Sequence, residues 1–325
     1  MDTFGAVRDT RVRSSAIRSQ WVVGRGAPRD VTELAYAVVA VFGPTASGKS
    51  AVAQELAARI ATEVVSADAL QVYAGIPILT NQSQARTRLT AFRELSDEMS
   101  VGEYAALAHA EIDDLVGAHG SAVVAGGTGL YLRAALADLA IPRSVDPETR
   151  TALERLYDAD PTATYDRLVR LDPAAARAVH PNDRRRVVRA LELAEAGTSL
   201  VPETDALWST SMRHPTLVVG LDLPTDELDR RIRARAGEMI ENGAVAEARA
   251  AMAGAISKTA AKALGLTELT TLPLPEATER LVERTRRYAA YQRKWMRRIP
   301  GIELVDANRP PEEVVDDVLD LARAR

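Results

Sequence analysis

The 325-residue chain contains no cysteine. That excludes disulfides, thiolate-bound zinc and a cysteine nucleophile, and it accords with the cytoplasmic location expected here. Histidine is scarce as well: His109, His119, His180 and His214 are scattered and share no metal-ligand spacing. Lysine occurs only at Lys49, Lys258, Lys262 and Lys294, so nearly all of the 41 basic residues are arginine. No apolar run reaches the length of a membrane span, so no membrane partner is expected. Residues 1–36 hold Arg8, Arg11, Arg13, Arg18, Arg25 and Arg29 without an apolar core. They read as a disordered N-terminal extension, not a secretory signal. The net charge of −4 gives no global sign of a nucleic-acid partner. What remains is a globular composition, 46% hydrophobic and 26% charged, with enough length for one large or two modest domains.

Against these absences stands Gly43-Pro44-Thr45-Ala46-Ser47-Gly48-Lys49-Ser50. It fits the phosphate-binding loop pattern G-x-x-x-x-G-K-[ST]. It also follows the apolar run Ala37–Phe42 and opens a predicted helix over 51–60, which is the context the motif needs. Gly43 and Gly48 let the backbone curl so that its N–H groups converge on phosphate oxygens at a helix N-terminus. Lys49 adds a point charge, and the Ser50 hydroxyl can hold Mg²⁺.

From residue 37 short apolar strands alternate with helices. Strands are predicted over 37–42, 63–66, 121–125 and 216–221, with a helix over 102–117. This predicts an α/β fold: a P-loop NTPase-like parallel sheet flanked by helices. Between Pro142 and His214 the strand signal disappears, and helices are predicted over 147–158, 162–171 and 183–195. The expected domains are a core of 37–143 with 214–325 and an all-helical insertion domain over 144–213. Further helices are predicted over 226–242, 244–252, 257–269 and 276–298. In parallel sheets ligands collect at the C-terminal strand ends. The loop, Asp68 and Gly126-Gly127-Thr128-Gly129 all fall there and should converge.

Asp68, at a strand end beside the loop, could hold Mg²⁺ through water, act as a general base, or cap a following helix. Gly126–Gly129 lets a ligand approach the backbone closely, and Thr128 adds a hydroxyl. Asn182–Glu192 sets Arg184, Arg185, Arg186 and Arg189 at a helix start. Arginines there oppose the helix macrodipole, which favours an external anion such as RNA phosphate. A second basic cluster spans Arg284–Arg298. On a helical wheel Arg286, Arg287, Arg293, Lys294, Arg297 and Arg298 fall on one arc of about 140°, opposite Tyr288, Tyr291, Trp295 and Ile299. The aromatics are expected to face the core, and the arc suits a polyanion.

The ordered set of motifs from Val38 to Pro300 resembles the tRNA dimethylallyltransferases. It comprises GPTASGKS (43–50), VVSADALQVYAGI (64–76), VVAGGTGLYLRAAL (123–136), DPETR (146–150), LDPAAARAVHPNDRRRVVRALE (171–192), RIRARAGEMIENGAVAEA (231–248), SKTAAKALG (257–265) and TRRYAAYQRKW (285–295). The resemblance implies transfer of a dimethylallyl group from dimethylallyl diphosphate to N6 of the adenosine 3′ of the tRNA anticodon. Catalysis would rest on Asp68 as general base with Thr128 and Lys49. Gly43, Thr45, Ala46, Ser47, Gly48, Lys49 and Ser50 would bind the diphosphate, with Mg²⁺ on Ser50. Asp68, Ala69, Leu70, Gln71, Thr128, Arg150, Arg185, Arg186, Arg189, Arg286 and Gln292 would face the tRNA anticodon stem-loop, and a monomer is expected. The alternatives are an isopentenyltransferase acting on free AMP, a P-loop small-molecule kinase, and a non-enzymatic RNA-binding module.

The chain departs from the family pattern in places. Ala69 replaces the usual serine after the aspartate, Ala91–Leu95 replaces a histidine-rich approach to the third helix, Leu266 follows Gly265 where tyrosine is usual, and Ala290-Tyr291 replaces a basic pair. These positions affect RNA contacts and tRNA choice. None touches Lys49, Asp68 or Thr128.

Overall fold

The computed structural model describes residues 34–139, 141, 146–201 and 206–324. The expected N-terminal extension therefore lies outside the described residues as far as residue 33, as do parts of the two links to the helical insertion.

The chain runs β1 (Val38–Phe42), α1 (Lys49–Arg59), β2 (Val64–Ser66), α2 (Pro77–Thr80), β3 (Thr87–Arg88), α3 (Val101–His119), β4 (Ala122–Gly126) and α4 (Gly129–Leu136). Four helices follow: α5 (Pro147–Ala159), α6 (Pro161–Leu171), α7 (Pro173–Ala178) and α8 (Arg184–Glu195). The chain then returns through β5 (Thr216–Asp222), α9 (Thr225–Glu241), α10 (Ala244–Met252), α11 (Glu268–Thr271), α12 (Leu274–Met296), β6 (Ile302–Asp306) and α13 (Pro311–Arg323). The strands form one sheet in the order β3-β2-β4-β1-β5-β6, and every pairing is parallel. β1 lies at the centre, buried along its whole length, which is why its sequence is a continuous apolar run.

Helices cover both faces. One core joins Val38, Ala40 and Phe42 to α3, α4, α9, α10 and α12 through residues such as Ile112, Leu132, Ile232, Ala248 and Leu281. The other joins Val39 and Val41 to α1 and α13 through Leu56, Val314 and Val318. Leu34 and Tyr36 pack on this second core, and Ala35 N–H bonds Ala322 C=O at 2.9 Å. The ordered core therefore begins before residue 37. Helices α5 to α8 close around a separate core of Leu153, Tyr157, Leu168, Val187 and Leu191. Aspartates start all four: Asp146, Asp160, Asp172 and Asp183 each accept a first-turn backbone N–H. These are the Asp-Pro pairs that punctuate the sequence, together with Asp183.

Two expectations fail here. Residues 257–269 do not form one helix: only a short 3₁₀ turn over Ala260–Lys262 and α11 appear. Gly265 takes φ +92°, a value that no α-helix interior uses. Helix α12 is present, but Tyr291 is 54% exposed, while its buried stripe is Leu281, Thr285, Ala289, Gln292 and Met296. The stripe advances by three and four residues, and Tyr291 lies off it.

Candidate functional site

Three strand ends meet at one place. After β1 the chain forms the phosphate loop, after β2 it reaches Asp68, and after β4 it makes the Gly126–Gly129 turn. Gly48 closes the loop at φ +89° and stands as N-cap of α1. A side chain at Gly126 would drive into the Ala67 backbone, and one at Gly129 would meet the Trp295 indole, with Cγ at 2.8 Å. The glycine run therefore lets the β2 and β4 turns touch and lets α12 lie directly on them.

The loop amides do not all serve a ligand. Ser47 N–H bonds Pro44 C=O at 3.2 Å, and Thr45 N–H donates to Gln292 Oε1 at 2.7 Å. The N–H groups of Ala46, Gly48, Lys49 and Ser50 have no partner among the described residues, as the first turn of a helix requires. Ser47 Oγ is buried and also without a partner. These orphaned donors make an anion cradle at the start of α1. Thr45, expected among the diphosphate-binding residues, has its N–H on Gln292 and its hydroxyl on Arg235 in this structure.

Lys49 Nζ rests on Pro44 C=O at 2.7 Å. Burial pushes its ammonium down to about 8, against the opposing pull of Asp68 and with a further push from Arg235. Arg235, on α9, is a residue at this site that sequence reasoning missed. It is half-buried, it donates to Thr45 Oγ1 at 3.0 Å, and desolvation lowers its guanidinium despite the Asp68 and Glu238 charges. Two half-buried cations thus share the Asp68 carboxylate at the mouth of the loop.

Asp68 Oδ1 accepts Leu70 N–H at 3.0 Å, a turn contact that no helix follows, so the helix-cap reading of Asp68 is overturned. Its charge is felt by Lys49, Arg235, Tyr104, Tyr131 and Tyr288, which places all five around it. Burial raises the three phenols first, and the Asp68 charge adds to it, so they keep their protons. Thr128 Oγ1 accepts Ala69 N–H at 3.4 Å, which brings Asp68 and Thr128 together as expected. Gln71 is spent internally: its oxygen takes the Ser66 hydroxyl at 2.7 Å, and its amide reaches Asn81 C=O at 3.0 Å.

The remaining tRNA-facing expectations divide. Gln292 is 2% exposed, with its two ends on Thr45 N–H and Gly127 C=O, so it does not face RNA. Arg150 and Arg189 both clasp the buried Glu192 carboxylate: Arg150 Nη2 lies 2.9 Å and Arg189 Nη1 3.0 Å from Oε2. That internal anion answers part of the macrodipole argument. Arg184 is likewise held by Asp158, at 2.6 Å. Arg185 and Arg186 are exposed with no acidic partner among the described residues, and the Arg185 charge reaches Tyr131 beside the site.

On α12 the basic arc is not continuous. Arg286 pairs with Asp229 at 3.2 Å, Arg284 with Glu268, and Arg287 with Glu283, while Arg293 binds Thr225 Oγ1 at 2.8 Å. Arg298 stacks 3.9 Å over Trp208, which in turn rests on Trp295 at 5.0 Å. Lys294 and Arg297 remain exposed and unpaired among the described residues.

The chain matches two family models, IPP transferase over residues 71–299 and isopentenyl transferase over residues 36–93. It is 38% identical over 292 residues to a tRNA dimethylallyltransferase of Thermobifida fusca, covering 84% of this chain and 91% of that one. It is 40% identical over 291 residues to one from Anaeromyxobacter dehalogenans, covering 85% and 96%. Among solved structures it resembles a full-length tRNA isopentenylpyrophosphate transferase from Bacillus halodurans, with 29% identity, a TM-score of 0.63 and coverage of 87% and 94%. A eukaryotic dimethylallyltransferase acting on tRNA gives a TM-score of 0.72 at 28% identity, covering 83% of this chain and 73% of that one. The loop, the strand-end aspartate and the glycine turn thus sit in a chain that belongs to the IPP transferase family, with the tRNA dimethylallyltransferases as its relatives.

Proposed function

We propose that this enzyme transfers a dimethylallyl group from dimethylallyl diphosphate to N6 of the adenosine 3′ of the anticodon in tRNA. One observation carries the reading. Two half-buried cations, an orphaned amide cradle and the Asp68 carboxylate converge at the end of β1. An anionic leaving group and a proton acceptor are what allylic transfer to an amine needs.

The N6 amine of adenine is a poor nucleophile because its lone pair is delocalised into the ring. It attacks C1 of the donor as the C1–O bond breaks, and that electron pair leaves on diphosphate. The N6 proton passes to the Asp68 carboxylate, the only acidic side chain among the charges acting on Lys49. Lys49, Arg235, the Thr128 hydroxyl and the free amides of 46 and 48–50 stabilise the departing charge. The Ser50 hydroxyl has no partner among the described residues and is the group that would hold a magnesium ion. Bound there, magnesium would neutralise leaving-group charge. The target base must leave its stack to reach Asp68. Arg185 and Arg186, exposed on the helical insertion, would hold the surrounding phosphates.

The test is transfer of label from dimethylallyl diphosphate to three acceptors: tRNA with adenosine 3′ of the anticodon, the same tRNA with that base changed, and free AMP. Label in the first alone is the expected result. Label in AMP would move the acceptor to a free nucleotide. Hydrolysis of ATP with no label anywhere would overturn the reading.

A further inference from the structure

Glu247 stands where the pattern of α10 calls for an apolar residue. Ala244, Ala248 and Ala251 form the buried stripe of that helix, and Glu247 falls on the same face, between Ala244 and Ala248. It lies in the first turn of α10, where the free N–H groups of its own helix would suit a carboxylate. The structure sends it elsewhere. Ile78 N–H donates to Glu247 Oε2 at 2.9 Å, and Leu79 N–H donates to Oε1 at 2.8 Å. Both donors belong to the first turn of α2, a helix of 4 residues that receives no side-chain cap from its own N-cap, Ile76. So short a helix does not hold itself together, and an outside acceptor for its free N–H groups supports it.

The other end of α2 holds the segment that carries Asp68. Gln71 Nε2 donates to Thr80 C=O at 3.2 Å and to Asn81 C=O at 3.0 Å. Carbonyls only accept, so the Gln71 oxygen faces the other way, where it takes the Ser66 hydroxyl at 2.7 Å. The Gln71 side chain therefore ties the end of β2 to the end of α2, with Asp68 in the turn between Ser66 and Gln71. Gln82, just beyond α2, adds a second tie by donating to Tyr73 C=O at 2.7 Å. Inside the turn, Leu70 N–H donates to Asp68 Oδ1 at 3.0 Å. In each of these bonds the donor is fixed by chemistry, because every acceptor is a carbonyl or carboxylate oxygen.

We infer that Glu247 is a positioning residue: by clamping α2 it sets the turn that aims the Asp68 carboxylate at its proton. The inference rests on the reading of Asp68 as the general base. A base works only within hydrogen-bond reach of the proton it takes, so the placing of its turn governs the rate of transfer. The phosphate loop has no part in the path from Glu247 through α2 and Gln71. Diphosphate binding therefore does not depend on it, and the two effects can be measured apart.

Glu247→Ala, Gln71→Leu and their double variant test the path by single-turnover transfer from dimethylallyl diphosphate to tRNA, and Glu247→Ala is repeated on Asp68→Asn. Glu247→Ala is expected to slow transfer about 10-fold, since misplacing a reacting group by about 1 Å can cost about 100-fold. Inhibition by inorganic diphosphate should not change. The double variant should be no slower than the slower single, because both changes cut one path. On Asp68→Asn, itself slower by about 100-fold or more, Glu247→Ala should cost nothing further, because no base is left to aim. An equal cost on both backgrounds, or a matching loss of diphosphate inhibition, would mean that the whole site has loosened, and either overturns the inference. Additive losses for Glu247→Ala and Gln71→Leu overturn it too. So does a folded Glu247→Ala with full rate beside a slow Asp68→Asn, a result that leaves the base in place. Should Glu247→Ala not fold, Glu247→Gln, which keeps one acceptor oxygen, carries the same comparisons at an expected loss of about 3-fold. A fully active Asp68→Asn removes the base reading, and the inference with it.

Discussion

Gly127→Ala gives the sharpest test of how the site is held together. A Cβ at position 127 would collide with Gln292 Nε2, lie 3.3 Å from Gln292 Cδ, and sit at an acceptable 3.4 Å from Gly43 C=O. Gly127 is not among the positive-φ glycines, so alanine itself is unstrained there. The whole cost falls on Gln292. Moving it breaks its bonds to Thr45 N–H and Gly127 C=O, about 1 kcal/mol each. Overpacking adds about 1 kcal/mol or more, for a total of about 2–4 kcal/mol. In a Gln292→Ala background the colliding group is gone, and the added methyl should cost about 0.5 kcal/mol or less. The coupling energy is then about 2–3 kcal/mol, measurable by urea denaturation of the four proteins in the cycle. Gly126→Ala is the control, because its methyl would meet the Ala67 backbone and Cβ, the latter at 2.8 Å, which no truncation of Gln292 relieves. Equal costs for Gly127→Ala in both backgrounds would refute the account of Gln292 as the strut between the loop and the β4 turn.

Binding of inorganic diphosphate should be flat below pH 8 and weaken up to tenfold per pH unit above it. The reason is that free Lys49 sheds its proton near pH 8, whereas the bound ammonium is held by the anion. Calorimetric titration from pH 7 to 9.5 checks this, and a flat profile contradicts it; Lys49→Arg, always charged, should flatten it. Glu192→Gln should cost about 2 kcal/mol of stability by leaving Arg150 and Arg189 against a neutral amide, less than for fully buried pairs because both arginines are part exposed. Its tRNA affinity should hold or rise as the arginines are released, so a parallel fall in affinity and stability would show that the pairing presents them to RNA. Reversing charge at Arg185 or Arg186 should weaken tRNA binding and lower the salt slope by about one each, whereas Arg184→Ala, whose side chain is already taken by Asp158, should leave the slope alone. Filter binding across a salt series distinguishes them.

The loop, the parallel sheet and the meeting of Asp68 with Thr128 were legible because each rests on local pattern: an apolar run, a glycine at a positive φ, an acid at a strand end. Arg235 was hidden among Arg230, Arg231 and Arg233, since composition cannot say which arginine turns inward. The phase of α9 could have said so. Leu228, Ile232, Ala236 and Met239 form its buried stripe, and Arg235 lies seven residues from Leu228 and three from Ile232. The same rule places Gln292 on the stripe of α12 and Tyr291 off it, the reverse of the expectation from aromatic and polar character. Arg133 repeats the lesson. It sits in α4, a helix buried nearly all round, and turns its guanidinium to Leu207 C=O at 2.9 Å and Ser209 C=O at 3.0 Å. The ion pairs that claim Arg150, Arg189, Arg286 and Arg293 were not legible, because their partners come from other elements or, like Glu192, from a residue that only the fold buries.

The charge balance of the site explains why it needs its donor. Burial works against both Lys49 and Arg235, and in the free protein Asp68 is the carboxylate that opposes it for both. Glu238 helps offset Arg235 alone, so Lys49 and Arg235 share only Asp68 in a place that water solvates partly. Lys49 Nζ meets this by leaning on Pro44 C=O, and Arg235 by leaning on Thr45 Oγ1, both parts of the loop itself. A diphosphate entering the cradle replaces these neutral contacts with charge-assisted ones, which are shorter and roughly twice as strong. The same cations are in place when the C1–O bond breaks and negative charge grows on the leaving oxygen, so no reorganisation is required at that moment.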